Sequence, residues 1–366
     1  MPPTYLRKTR YRQRGRQYGP EVDDAIRVIA ESLDYICAER LKPVLPAMAQ
    51  HLARCGEMQA SPALIAQLQK IGVATVGRIL RRVRQDTYRL PRPGPERANP
   101  VAREIPMRRL PWNESQPGHF EVDLVHHCGS ATVGDYVHTM QMVDIATGWS
   151  ERVAVFGRSQ REMAAGFRHI QARLPMPIMQ LHPDNGNEFL NDHIVRCWKE
   201  AAKGLKLSRS RPYRKNDNRF VEQKNATLVR AYLGNARFDT RLQWQKMNHL
   251  YDKMWLYYNF FQPVMCLKEK LLSPPDSGTY RVRHKYDSAQ TPFQRLCDTD
   301  AISERTKEEL TAQRDRTNPR QLRQEIYQLL DELFILADQQ LASSDYSNTE
   351  RLLHHIQHVK EGAIAR

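Results

Sequence analysis

The sequence predicts a mixed α/β core set between helical N- and C-terminal regions. Three runs with strand-like patterning lie close together between residues 119 and 156, as expected of strands joined by short turns. Beyond residue 158 the texture becomes helix, strand, helix, strand, helix, and helical crossovers make the later strands parallel. Seven prolines between residues 85 and 117 separate this core from a helical segment before it. Proline at that density favours extended chain over helix or sheet.

The totals narrow the class. A chain of 366 residues can hold two or three domains. No run of about 18 apolar residues occurs, so no transmembrane helix is expected. The formal net charge is +15 and the isoelectric point about 9.6. The basic clusters lie mostly in loops and linkers and not on one amphipathic helix, which favours nucleic acid over a membrane surface as the anionic partner. The six cysteines are scattered, without the paired spacing of a zinc site, and suggest a reducing cytoplasm.

Residues 1 to 20 carry six Arg or Lys and no acid; they read either as an arm that orders on nucleic acid or as a solubilising tail. Val22, Ile26, Ile29, Leu33 and Ile36 give one apolar helical face. Ser61 and Pro62 mark a helix start by N-cap and first-position proline. Gly72 breaks that helix, and a second begins near Ala74 or Thr75 and carries Arg78, Arg81, Arg82 and Arg84. The pair fits a helix-turn-helix or a plain basic hairpin.

In the core, the strands are "HFEVDLVHH", "DYVHTMQMVDIA", "WSERVAVF", "IMQLH" and "LKLSR", with a helix capped by Ser159, a second over 188–204 and a third from about Asn218 to Leu233. An aromatic-rich helix over 242–262 reads as a packing element. Residues 271–300 read as irregular or short strands. Asn318 and Pro319 open a last helix with Leu322, Ile326, Leu329, Leu333 and Leu336 at heptad-like steps, suited equally to intramolecular packing or to a dimer contact.

Three acids sit where chemistry could use them. Asp123 lies inside the first strand, where an ionised group is costly unless paired or metal-bound. Asp184 ends the fourth strand, and carboxyl ends of parallel strands line ligand crevices. Glu222 lies on the helix after the fifth strand, among Arg214, Lys215, Arg219 and Lys224. Convergent carboxylates in a basic chain call for hard divalent cations, which also recruit phosphate oxygens. Asp144 competes as a fourth acid but suits a turn before Thr147 and Gly148; Glu188 suits a helix N-terminus.

The blocks "GHFEVDLVHHCG", "MVDIATGWSE", "HPDNGNEF" and "RPYRKNDNRFVEQKN" resemble those of bacterial insertion-sequence transposases with an integrase catalytic domain, within the DDE superfamily. Intervals of 61 residues from Asp123 to Asp184 and 38 from Asp184 to Glu222 agree with that. The resemblance covers about 118 to 234. It implies a ribonuclease-H-like mixed sheet with flanking helices. It makes Asp123, Asp184 and Glu222 the catalytic, metal-binding triad for two Mg²⁺ or Mn²⁺ ions. It implies cleavage at terminal inverted repeats, joining of 3′ ends to target double-stranded DNA, and a homodimer or larger assembly in the bacterial cytoplasm at the nucleoid. Retroviral members carry basic residues four and seven positions after the glutamate; here those are Ala226 and Val229, so the role passes to Lys224 or Arg230. Arg211, Arg214, Lys215, Arg219, Lys224 and Arg230 complete the expected DNA contacts, with Arg78, Arg81, Arg82 and Arg84. A non-catalytic regulator and a structure-specific nuclease on the same fold are the alternatives. The expected domains are a basic arm (1–20), a helix-turn-helix domain (21–84), a linker (85–117), the core (118–240) and a helical C-terminal region (241–366).

Overall fold

The computed structural model describes residues 18–82, 115–130, 132–183, 198, 205–208, 219–273 and 281–338. The chain divides into two compact units, Met1–Arg84 and Gln85–Arg366.

The first unit is helical: α1 (Pro20–Ser32), the short α2 (Ala38–Leu41), α3 (Leu45–Arg54), α4 (Pro62–Lys70) and α5 (Val73–Arg82). Val22, Ile26 and Ile29 bury one face of α1. The apolar period reaches Ile36, yet the helix stops at Ser32. Asp34 and Tyr35 take left-handed backbone (φ 55° and 51°) and end it, while Leu33 and Ile36 stay in the core. Ser61 caps α4 as expected, its Oγ accepting the Leu64 amide at 3.1 Å. The break after α4 falls at Ile71, extended at φ −60°, ψ 135°. The chain bends by 109° between α4 and α5, and Leu64, Leu68, Ile71, Val76 and Ile79 are buried.

The second unit is a five-stranded mixed sheet flanked by helices. Its strands are β1 (His119–His126), β2 (Val137–Asp144), β3 (Ser150–Phe156), β4 (Gln180–Pro183) and β5 (Lys206–Leu207), in the order β3-β2-β1-β4-β5. β2 is antiparallel to β1 and β3, whereas β4 and β5 run parallel to β1. The turns and crossovers read from sequence therefore give the expected senses, although β5 keeps only two residues. The helix expected over 188–204 lies outside the described residues apart from Trp198, which packs on Phe167.

Side chains alternate across the sheet. One face holds Met140, Val153 and Val155 under α6 (Gln160–Arg173). Gly166 permits this approach, since a Cβ there would lie 2.7 Å from Val155 Cγ1. The other face holds Val125, Val137 and Ala154. It is covered by two helices, α7 and α8, whose ranges follow, and by the last helix, α11 (residues 319–338). α7 runs Arg219–Lys224, continues as a π segment Asn225–Arg230 and closes with Ala231–Leu233; α8 runs Arg241–Leu256 into a π turn Tyr257–Phe261. Between α8 and α11 come a two-stranded ribbon, β6 (Leu267–Ser273) and β7 (Arg281–Tyr286), then α9 (Pro292–Cys297) and α10 (Glu304–Asp315).

The aromatic helix packs as read. Trp255 Nε1 and Trp149 Nε1 both donate to the buried Glu151 carboxylate, at 2.6 and 2.9 Å. α11 is helical over 319–338, with Asn318 Oδ1 accepting the Arg320 amide at its start. Leu322, Ile326, Leu329 and Leu333 are buried in the same core as α7 and α8. Of the two roles open to that stripe, intramolecular packing takes these four residues. The region read as irregular holds a capped helix: Thr291 and Gln294 form a reciprocal capping box at α9.

His127 follows β1 and is fully buried, its Nε2 paired with Thr139 Oγ1 at 2.7 Å. Burial first, then Arg230, His138 and His126, lowers its pKa to about 3. The neutral ring is thus required by the fold. An unfolded chain takes up a proton here below pH 6.5, and the folded one does so only near 3. The stability this supplies is complete above about pH 6.5 and is lost as pH falls toward 3, on the order of 5 kcal/mol at most. Urea unfolding at steps between pH 8 and pH 4 should show this fall, and His127→Gln should lessen it, leaving the share of His138, whose pKa burial also lowers to about 3. An equal slope in the variant would contradict the assignment.

Candidate active site

β1 presents Phe120, Val122 and Leu124 to one side and Glu121, Asp123 and Val125 to the other. The second set faces α7, because Val125 packs with Leu228, Val229 and Tyr232. Two carboxylates on a covered sheet face must find donors. α7 supplies them in order along the strand. Glu121 Oε2 accepts the backbone amides of Phe220 and Val221, at 2.8 and 2.9 Å. Asp123 Oδ2 accepts the Asn225 side-chain amide at 2.6 Å, and Oδ1 accepts the Leu124 amide at 2.8 Å. At the far end, Arg230 Nη2 donates to the His126 carbonyl at 2.9 Å. The helix is laced to the strand at three successive levels.

Glu222 sits in the first turn of α7, beside the buried Val221, and is exposed. It lies near enough to Glu121 to act on it. Burial first raises the Glu121 pKa, to about 7; the two backbone bonds and Arg219 oppose that rise, and Glu222 adds to it. Glu121 is buried, and its Oε1 has no hydrogen-bond partner among the described residues. The π segment begins at Asn225, the residue that bonds Asp123; π turns recur at functional positions.

β4 is described up to Pro183, which pairs with Val122, one residue before Asp123. Asp184 lies outside the described residues, as do Glu188, Arg84, Arg211, Arg214 and Lys215. Among the described residues no three His, Cys, Asp or Glu side chains form a metal-binding group. Asp123 and Glu222 are thus brought to adjoining elements. They are oxygen donors of the type that hard divalent cations take.

The other assigned cations separate by role. Arg219 lies over the Phe220 ring, 4.8 Å from its centroid. Lys224 is half-buried on α7. Arg230 is engaged with the His126 carbonyl and with the Gly234 carbonyl at 3.2 Å, so it clasps the helix to the sheet. Position 229 faces the core, its valine fully buried. Arg78, Arg81 and Arg82 are exposed on α5; Arg82 reaches Asp23 at 3.8 Å. Asp144 has the turn role weighed for it: Oδ2 accepts the Thr147 amide and hydroxyl, and Oδ1 accepts the Gly118 amide. Glu121 was missed in the sequence. The cost of an ionised group on a strand, which singled out Asp123, applies equally two residues earlier.

No family model matches the chain. The uncharacterized protein y4rM of Sinorhizobium fredii (strain NBRC 101917 / NGR234) is 37% identical over 260 residues, covering 71% of this chain and 74% of that protein. The chain belongs to the y4rM family. Membership carries no activity with it. Among solved structures, a chain of the simian T-cell lymphotropic virus intasome complexed with PP2A regulatory subunit B56 gamma matches at 16% identity and TM-score 0.28, over 50% of this chain and 58% of that one. The catalytic core domain of BIV integrase matches at 19% identity and TM-score 0.25, over 32% and 73%.

Asn225→Ala should cost about 1.5–3 kcal/mol in urea unfolding, the worth of a hydrogen bond to a charged group. Asn225→Asp should cost more at pH 8 than at pH 5, because two carboxylates then meet. Equal costs at both pH values would contradict the Asn225–Asp123 pairing.

Proposed function

We propose that the chain is a DDE-type DNA transposase, a metal-dependent polynucleotidyl transferase with a ribonuclease-H-like core. The observation that carries this is the lacing of α7 onto β1, which sets the helix of Glu222 against the strand of Asp123. The parallel neighbour of that strand, β4, leads into Asp184. The strand order with β2 alone antiparallel supports the core assignment. The +15 charge supports a DNA substrate.

In this reading Asp123, Asp184 and Glu222 would hold two Mg²⁺ or Mn²⁺ ions. Such ions activate an attacking oxygen and stabilise the leaving one in phosphoryl transfer. Water attacks the phosphodiester at the element's end and releases a 3′-OH; that 3′-OH then attacks a target phosphodiester, with one P–O bond made and one broken in each step. Asn225 orients the Asp123 carboxylate, leaving its remaining lone pairs to the site. Arg211, Arg214, Lys215, Arg219 and Lys224 bind the DNA backbone. The 109° bend between α4 and α5 suits a helix-turn-helix, with Arg78 and Arg81 reading the terminal inverted repeats. Two ends joined in concert require at least a dimer.

Joining of a pre-cut repeat end tests the reading. Asp123→Asn, Asp184→Asn and Glu222→Gln should each abolish Mg²⁺-dependent joining and leave end binding intact. Joining near the wild-type rate in any of them contradicts the triad. Hydrolysis without joining by the wild type would point to a nuclease, and binding without either reaction to a regulator. Separately, Arg78→Ala should lower binding to repeat DNA more than to random DNA, by about 1–3 kcal/mol of discrimination if it makes a bidentate guanine contact. Parallel losses would reduce α5 to a phosphate-binding face.

A further inference from the structure

We infer that Glu121 is a positioning residue of this site, setting the separation between Asp123 and Glu222; this rests on the reading that both carboxylates hold the metal. Glu121 stands two residues from Asp123 on one face of β1, and its Oε2 takes the two amides immediately preceding Glu222 on α7. Donors and acceptor are 99 and 100 residues apart in sequence. The carboxylate acts as a cap in trans at the start of the helix, where free amides need acceptors. It is not in the solvent-exposed position of a chance surface contact, being fully buried. The second tie, Asn225 to Asp123, lies one turn further along, so two ties bracket Glu222 and fix both its level and its rotation relative to the strand. Without the first, the bonds from Asn225 to Asp123 and from Arg230 to His126 remain among the described residues, and both lie on the C-terminal side of Glu222.

Supporting groups that orient ligands change metal affinity even though they touch no metal. Glu121→Ala removes the acceptor. Glu121→Gln keeps an oxygen for both amides and places a nitrogen where the unpartnered Oε1 now sits. Phe220→Pro removes one donor from the helix side, in a first turn where proline is tolerated, and leaves β1 untouched should the alanine variant not fold.

The test uses the full chain and three readouts: amide exchange across residues 219–233, Mn²⁺ affinity from the free-ion signal in electron paramagnetic resonance, and the Mg²⁺ dependence of joining. Glu121→Ala should speed exchange at the start of α7. It should weaken Mn²⁺ binding by about 10–100-fold and raise the Mg²⁺ needed for half-maximal joining in parallel. Phe220→Pro should move all three the same way by less, and Glu121→Gln should stay near the wild type. A merely structural role would lower the folded fraction without moving either metal dependence. Unchanged exchange and unchanged Mn²⁺ affinity in Glu121→Ala overturn the proposal. So does Glu121→Gln failing as badly as alanine, since the charge and not the two bonds would then be what matters. A wild type that joins no DNA, with the alanine variant still loosened and weakened for Mn²⁺, defeats the transposase reading while supporting Glu121.

Discussion

The contact on which the site depends is the run of hydrogen bonds between β1 and α7. Strand and helix advance at different rates per residue, so matching them at three levels needs suitable spacing. Glu121, Asp123 and His126 on the strand meet Phe220 and Val221, Asn225, and Arg230 on the helix. At about 3.3 Å per strand residue and 1.5 Å per helix residue, five strand steps outrun nine helix steps only slightly. The helix therefore lies along the strand in the same direction. Burial of Leu228, Val229 and Tyr232 supplies the apolar drive for docking; the polar contacts select the register.

That register reaches across the sheet. Asp123, Gln141 and Arg152 occupy one row on β1, β2 and β3. Arg152 is buried, and burial foremost lowers its pKa to about 10. Its Nη2 donates to Ser150 Oγ at 3.0 Å, which also accepts the Gln141 amide at 2.7 Å. Its guanidinium lies over the Tyr258 ring. A polar row through an otherwise apolar layer is costly to leave unpaired. Beside the row, α8 adds polar side chains of its own: Asn259 donates to the Ser150 carbonyl and accepts the Ser150 amide, and Tyr251 pairs with Thr139. Each of the two π segments carries one asparagine that bonds the sheet, Asn225 in α7 and Asn259 in α8. The extra residue per turn is tolerated where it aims such a side chain inward.

Much of this was legible in the sequence because the signals are local. Alternation in "HFEVDLVH" gives β1, Ser61 and Ser159 give helix starts, and the stripe from Val22 to Ile29 gives α1. Asp123 and Glu222 could be named from the same strand and helix, once the resemblance supplied their roles. Long-range pairings could not be read: nothing local ties Glu121 to residues 220 and 221. The π turns were invisible for the same reason, since a helix period differs little over one turn. The ending of α1 depends on left-handed backbone at Asp34 and Tyr35, which tyrosine does not advertise. The box at Thr291 and Gln294 is a local signal, a Thr three residues before a Gln, in a stretch that otherwise reads as irregular.

In the proposed function, β1 and α7 together present Asp123 and Glu222 to one metal-binding site. Iron-directed backbone cleavage addresses it without any assumption about DNA. Fe²⁺ with ascorbate should cut the native chain near residues 123 and 222 together, and Mg²⁺ should suppress both cuts in parallel. Cleavage near only one of the two, or two cuts that Mg²⁺ suppresses at different concentrations, would contradict a single shared site.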